Sequence, residues 1–482
     1  MKTIRLLFVT VLCCAALASC TDDDFTTNTS ARLTFAADTI RFDTVFATVP
    51  TATRTFWVFN KGDAGIRLTS VRLEGGNQKG FRVNVDGSYL GTSTGFQLND
   101  LEVRKGDSLR VFVELTSPTQ TADFTELTDA LVFQHESGVE QRVVLTATAW
   151  QARILNDYHV SGDEIFTAEQ PIIVRGNLTI NEGATLTLTA GTQLYFNSNA
   201  GMHVYGRLVS QGTPDHNVVL RGDRLDRMFD YLPYDGVSGQ WRGITIYEGS
   251  YDNLLQYTDI HSTMDGISVT SNNPERRTLT MEQSTVHNCQ GHGLKSVNAD
   301  VRVVNCQLTN TLGDCLHVEG GRVVVNNSTL AQFYPFDSAR GYALYFDNTT
   351  PLIIALHNSI VTGYADDVLQ STQTEENNAF DYGFEHCMLR TPKPEEDKME
   401  RFIEVIFEDV DDQDKGGQAN FMRIDIDSLR YDFQLSDSTL AINAANVSTA
   451  VSIDRMGRQR DEKPDMGCFE KLMPTTDGIR RR

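Results

Sequence analysis

The chain has 482 residues, too many for one ordinary compact domain, so several units or a repeat array are expected. Its 64 acidic residues against 42 basic ones leave a net charge of −22, which excludes general nucleic-acid binding, a function that needs a basic footprint. The same charge repels anionic polysaccharides unless Ca²⁺ or a local basic patch intervenes.

Residues 1–19 begin with the basic "MKTIR" and continue as the apolar "LLFVTVLCCAALA", a run too short to span a bilayer. The run closes on "LASC", small residues ending at Cys20. This resembles the lipobox of bacterial lipoproteins. The resemblance implies cleavage before Cys20 and lipidation of its thiol, with enough acyl chains for stable anchoring in a membrane. An ordinary secretory signal with an incidental cysteine is the alternative. The acidic "TDDDF" that follows is similar to the surface-export signals of some outer-membrane lipoproteins, which implies an outer-membrane, cell-surface location. Residues 20–30 read as an acidic, polar linker.

Residues 31–150 alternate in short strands. "FRVNVDG" puts Phe81, Val83 and Val85 on one face, and "SLRVFVEL" does the same with Leu109, Val111, Val113 and Leu115. "LVFQHESGVEQRVVLTATA" reads as a hairpin around Ser137 and Gly138. Regular strands joined by turns predict a β-sandwich. The stretch resembles the immunoglobulin-like modules found in front of exported bacterial domains, although it has no cysteine pair.

From residue 154 the texture changes to short β runs separated by glycine turns. "YTDI" (257–260), "QSTV" (283–286), "NCQL" (305–308), "NSTL" (327–330) and "NSIV" (358–361) align at steps of 26, 22, 22 and 31 residues. A second phase repeats with them: "DGI" (265–267), "HGL" (292–294), "DCL" (314–316), "YAL" (342–344) and "DDV" (366–368). A period near 22 with short strands and no helical pattern is that of a β-solenoid. The pattern resembles right-handed parallel β-helix proteins, the pectate-lyase-like superfold. The expected fold is therefore all-β: an immunoglobulin-like sandwich at 31–150, then a right-handed parallel β-helix at 154–470. The helix is read as including an acidic insertion at 373–420 and a cap at 421–470, with a tail at 471–482.

Five cysteines remain beyond Cys20: Cys289, Cys306, Cys315, Cys387 and Cys468. Cys306 shares a column with Thr258, Ser284, Ser328 and Ser359, Cys315 shares another with Gly266 and Gly293, and Cys289 falls in neither. The thiols therefore do not converge, and they lack paired C-x₂-C spacing. Neither a disulfide framework nor a metal site is expected from them, and they read as small buried hydrophobes.

Two features are candidate sites. Asp265, His292, Asp314 and Asp366 form a ladder at one turn, beside Ser268, Lys295, His317 and Tyr345. The ladder is either a solvated edge, in which Asp satisfies turn backbone groups, or a centre for acid–base work or Ca²⁺. The turn chemistry favours the first. "GHG" at 291–293 and "DD" at 366–367 are similar to motifs of polygalacturonase-type hydrolases, but they occur in the wrong order and no R-I-K follows, so no catalytic role is carried over. The second feature is the aromatic loop "RLDRMFDYLPYDGVSGQWRG", whose Tyr231, Tyr234 and Trp241 either plug the coil or stack on a sugar. "RGD" at 221–223 reads as a turn after a strand. Near the C-terminus, Asp454, Gly457, Arg458, Asp465 and Gly467 resemble the closing segment of exported β-helices, which implies a structural role.

The leading expectation is an outer-membrane lipoprotein whose β-helix binds a polysaccharide or another surface partner. A polysaccharide lyase or glycoside hydrolase and a purely structural envelope role are the alternatives. No cofactor is called for, Ca²⁺ being the one ion considered. The expected partners are a cell-surface ligand and, through the lipid, the membrane.

Overall fold

A computed structural model describes residues 24–471 apart from 121, 230 and 413. The signal segment and Cys20 lie outside the described residues. The chain divides into two units, at residues 1–151 and 152–482.

The first unit is two five-stranded sheets. One runs in the order Thr34–Phe35, Arg54–Phe59, Ser108–Leu115, Phe81–Val85, Ser88–Tyr89, and the other Thr39–Phe46, Glu140–Trp150, Phe124–His135, Ile66–Leu73, Gln97–Val103. The alternation read from the sequence sets which side chains face inward. Phe81, Val83, Val111 and Val113 of one sheet meet Leu68, Leu131, Phe133 and Leu145 of the other in a single core. Gly138 turns the hairpin with a φ of +86°, a conformation open to glycine. Thr39–Phe46 departs from the antiparallel pattern by pairing parallel to Glu140–Trp150.

The second unit is one continuous 25-stranded parallel sheet wound into coils, from Arg153–Val160 to Ile406–Phe407. Each full coil has three β segments, two of which run on as one bent strand in Leu294–Val304, Leu316–Asn326 and Leu344–His357, so the winding presents three flat faces. Strands of neighbouring coils lie about 4.8 Å apart. At one corner six successive coils carry a residue of positive φ: Tyr257, Gln283, Asn305, Asn327, Asn358 and His386, between +44° and +52°. Asparagine tolerates this left-handed conformation best, which explains the "N-C" and "N-S" of the repeat. The residue after the corner is small, and its hydroxyl or thiol bonds the carbonyl two residues back. Ser328 Oγ meets Asn326 O at 2.9 Å, and Cys306 Sγ meets Val304 O at 3.2 Å. The Ser328 hydroxyl also accepts the Cys306 amide of the coil before it, at 3.1 Å. All five cysteines are free and buried. Burial pushes the thiols of Cys289, Cys306, Cys315 and Cys387 up to about 12, so they are inert.

Two expectations about the C-terminal third are corrected. Residues 373–420 are not a lateral insertion. Phe380–Glu385, Met388–Leu389, Phe402–Ile403 and Ile406–Phe407 continue the stack, with Phe380 pairing Leu352. The acidic residues that obscured them sit largely in the turns between these strands. Here the stack is closed by its own aromatics, Phe384 stacking on Phe402 at 5.1 Å with Tyr382 and Phe407 around them. Residues 421–470, read as a cap, instead lie along the flank. Phe421, Phe433, Leu435, Met466 and Phe469 pack with Ala331, Phe333, Ile360 and Met388 of the coils. From there the segment runs back along the stack, where Arg455 bonds Thr285 at 3.1 Å and Asn217 at 2.9 Å. Gly467 approaches so closely that a Cβ would collide with Ile360 and Thr329. Within this segment the buried guanidinium groups belong to Arg455 and Arg460, not Arg458.

Candidate functional site

The ladder assembles from the turn that precedes one strand of each coil. Ile267, Leu294, Leu316, Leu344 and Leu369 are in register, so Asp265, His292, Asp314 and Tyr342 occupy one column. Asp366 does not join it. Leu369, rather than Val368, is the residue in register, and this one-residue slip puts Asp367 in the column. Asp366 is an exposed partner of Arg390 at 3.3 Å.

Within the column the polar groups satisfy one another. Asp265 Oδ1 accepts the His292 amide at 3.2 Å, and the Asp314 amide donates to His292 Nδ1 at 3.0 Å. Asp314 Oδ1 accepts the Tyr342 amide at 2.7 Å, while Oδ2 meets His317 Nδ1 at 2.7 Å. The other nitrogen of His317 meets Glu319 Oε1 at 3.1 Å, and Glu319 also pairs with Lys295 at 2.7 Å. Burial alone would raise the Asp314 carboxyl, but the imidazoles of His292 and His317 beside it and the Tyr342 amide outweigh it. They hold the group well below the usual carboxylate range. An ionised carboxylate with both oxygens occupied cannot serve as a general acid, and His317, bridged at both nitrogens, offers no free base. The glycines of "GHG" have a steric reason: a Cβ at Gly291 would strike Asp265, and one at Gly293 would strike the Cys315 carbonyl.

The aromatic loop divides. Tyr231 is 60 % exposed and stacks on exposed Phe229 at 5.7 Å, whereas Tyr234 is half-buried under the Arg224 guanidinium at 3.8 Å. Trp241 is wholly buried, stacked on Phe196 at 4.0 Å, with its indole N–H donated to the His261 carbonyl at 2.9 Å. It belongs to the coil interior and presents no surface to a sugar. The "RGD" is also withdrawn: Arg221 pairs with Asp235 at 2.7 Å, and Asp223 accepts from Asn197 at 2.9 Å.

A different aromatic group lies on the same sheet as the ladder, toward the first coils. The outward residues of this sheet run His159, Thr179, His203, Thr245, Ser268, Lys295, His317, Tyr345, Gln370 in unbroken register. At its N-terminal end Tyr205 and Tyr247 stack at 4.2 Å, 6° from parallel, and the Tyr247 hydroxyl meets His203 Nδ1 at 2.9 Å. They border a concavity of about 530 Å³ lined also by His159, Asn177, Asn181 and Glu182. Sequence reasoning passed over these tyrosines. The aromatic loop lies between them in the chain and breaks the period that would have aligned them.

A second titratable cluster was also missed, on another face of the coil. Asp259 Oδ1 lies 3.0 Å from His261 Nδ1 and 3.2 Å from His287 Nε2, and His261 Nε2 lies 2.7 Å from Asp235 Oδ1. Burial alone would lower His261, but Asp259 and Asp235 overcome it and raise the imidazole to about 9. The repeats "YTDI" and "QSTV" align correctly here, and each is followed at once by the histidine concerned.

Residues 172–365 match the family described as the right handed beta helix region. Among solved structures the chain is similar to the Vibrio cholerae VesB protease, at 15 % identity, with a TM-score of 0.16 over 24 % of this chain and 31 % of that one. It is also similar to a family 123 glycoside hydrolase from Clostridium perfringens, at 8 % identity, with a TM-score of 0.17 over 27 % of this chain and 26 % of that one. The chain thus spans less than a third of either protein, and likeness at this level carries nothing about activity. No curated protein matches it. The continuous parallel stack and the family match together make the second unit a right-handed β-helix.

Proposed function

We propose that the protein is an exported lipoprotein that holds a neutral glycan along the outward face of its β-helix. The observation that carries this reading is the Tyr205–Tyr247 stack beside the 530 Å³ concavity, with polar side chains converging on it. Aromatic rings give apolar area with a polar tip, and rings already fixed against each other lose little further entropy when a ligand is ordered on them. The face continues along the coils as a register of hydroxyl, amide, imidazole and amine groups, suited to an extended chain of hydroxyls. The net charge of −22 favours a neutral polymer over an acidic one. Binding is preferred to cleavage because Asp314 and His317 are spent on one another.

Retention on neutral polysaccharides tests this, scored together with the release of new reducing ends. Tyr205→Ala is expected to weaken retention by about 1–3 kcal/mol, the range for losing an aromatic anchor. Wild type is expected to release no reducing ends. Undiminished retention in the variant, or cleavage by wild type that Asp314→Asn abolishes, would remove the reading.

The N-terminal sandwich is read as an immunoglobulin-like spacer and Cys20 as the lipid anchor, a reading that rests on "LASC" behind an apolar run. Cys20→Ala is expected to leave the membrane fraction and to lose labelled lipid. A variant that stays with membranes and keeps its label has some other attachment.

A further inference from the structure

We propose that Asp259, His261 and His287 form a site for one divalent transition-metal ion of the zinc class, on a different face of the coil from Tyr205 and Tyr247. The placement follows from register. His261 and His287 are direct partners on adjacent parallel strands, their rings stacked at 4.7 Å, and Asp259 precedes His261 by two residues on the same outward face. Ligand atoms from the three residues lie within 4.8 Å of one another. Zinc at its usual ~2.0–2.1 Å from each ligand, in tetrahedral geometry, would set ligand atoms about 3.3 Å apart. The two carboxylate-to-imidazole separations, 3.0 and 3.2 Å, are close to that edge already. Two imidazole nitrogens and one carboxylate oxygen are a donor set that suits first-row transition metals rather than calcium.

A second, independent feature is the outer partner. Metal-binding imidazoles are usually oriented by a carboxylate on the far ring nitrogen. Asp235 supplies one here, 2.7 Å from His261 Nε2, and is itself held by Arg221 at 2.7 Å. His261 is buried, with a side chain 7 % exposed, whereas those of Asp259 and His287 are 30 % and 26 % exposed, so the site opens to solvent on one side. That leaves room for a water as fourth ligand. The metal enters as the protons that His261 Nδ1 and His287 Nε2 direct at Asp259 Oδ1 leave those nitrogens for solvent, and one bond to the metal forms at each of the three ligand atoms. The comparable cluster of His292, Asp314 and His317 does not qualify, because His292 Nδ1 already accepts a backbone N–H that cannot be removed. The site departs from the sequence expectation of no metal, which considered the thiols and the turn ladder only.

The test is a titration of the full chain, stripped with a chelator, with Zn²⁺ against a competing fluorescent chelator. One equivalent is expected to bind, and excess Ca²⁺ is expected not to displace it. His287→Gln and Asp259→Asn should each lower the affinity at least about 10-fold, and Asp235→Asn by about 10–100-fold, the usual effect of an outer partner. Cys306→Ser and His292→Gln should leave it unchanged. His287 is partly exposed, so its variant keeps a folded reference, checked by melting: zinc should raise the Tm of wild type and not of His287→Gln. Absence of zinc binding in wild type, unchanged binding in His287→Gln, or loss confined to Cys306→Ser or His292→Gln would each overturn the proposal.

Discussion

Arg460→Ala is expected to destabilise the second unit by about 3–5 kcal/mol, the cost of stranding a buried charge. The Arg460 side chain is 2 % exposed and that of Glu470 is 4 %, with their charged atoms 3.0 Å apart. The guanidinium also donates to the carbonyls of Gly467 at 2.8 Å and Asp465 at 3.1 Å, and to Asn305 of the corner column at 3.1 Å. One side chain thus fastens the flanking segment to the coils. Burial already pushes the Glu470 carboxyl up, and Arg460 pulls it back. Without Arg460 the carboxylate keeps only the amides of Asp461 and Asp465. A carboxyl whose pKa is raised in the folded state destabilises that state when ionised, so the penalty should shrink as the pH falls and Glu470 takes up a proton. The double variant Arg460→Met, Glu470→Gln removes both charges and should recover most of the loss. Urea midpoints of the three proteins at neutral and mildly acidic pH check this. A single variant as stable as wild type would mean that the flank is not fastened there.

Trp241→Ala is expected to cost about 3–5 kcal/mol, the range for emptying a large buried aromatic site. The ring is wholly buried against Phe196, and its N–H satisfies the His261 carbonyl. Trp241→Phe should keep the stacking and lose less, the residual being the orphaned carbonyl. Neither variant should change glycan affinity per folded molecule. A drop in affinity with unchanged stability would instead support the sugar-stacking alternative for Trp241.

The sequence revealed what the coil repeats and concealed what interrupts the repeat. Small residues recurring at steps of 22 to 31, three of them after an asparagine, exposed the corner column, because a left-handed corner and close coil packing each restrict the residue type. The same columns separated the three thiols correctly and brought Asp265, His292 and Asp314 together. Asp366 was misplaced because "DDV" and "YAL" look alike, while the strand pairs one residue later, Leu344 with Leu369. Tyr205 and Tyr247 were invisible because the loop between them nearly doubles the local step. Phe380, Tyr382 and Phe402 were hidden by acidic turns that lower the hydropathy of the whole stretch. Trp241 sits in an aromatic loop, and composition cannot tell which aromatic turns inward. The Asp259 cluster needed one further residue of alignment and one partner, Asp235, that no repeat supplies.

Hydroxyl-radical footprinting of the full chain, with and without the best-retained neutral polysaccharide, tests the central claim most directly. The glycan should protect Tyr205 and Tyr247, with weaker protection of Tyr345 along the same register, and should leave Tyr231 and Tyr89 as reactive as before. Protection of Tyr231 or Tyr89 with Tyr205 and Tyr247 unchanged would contradict it.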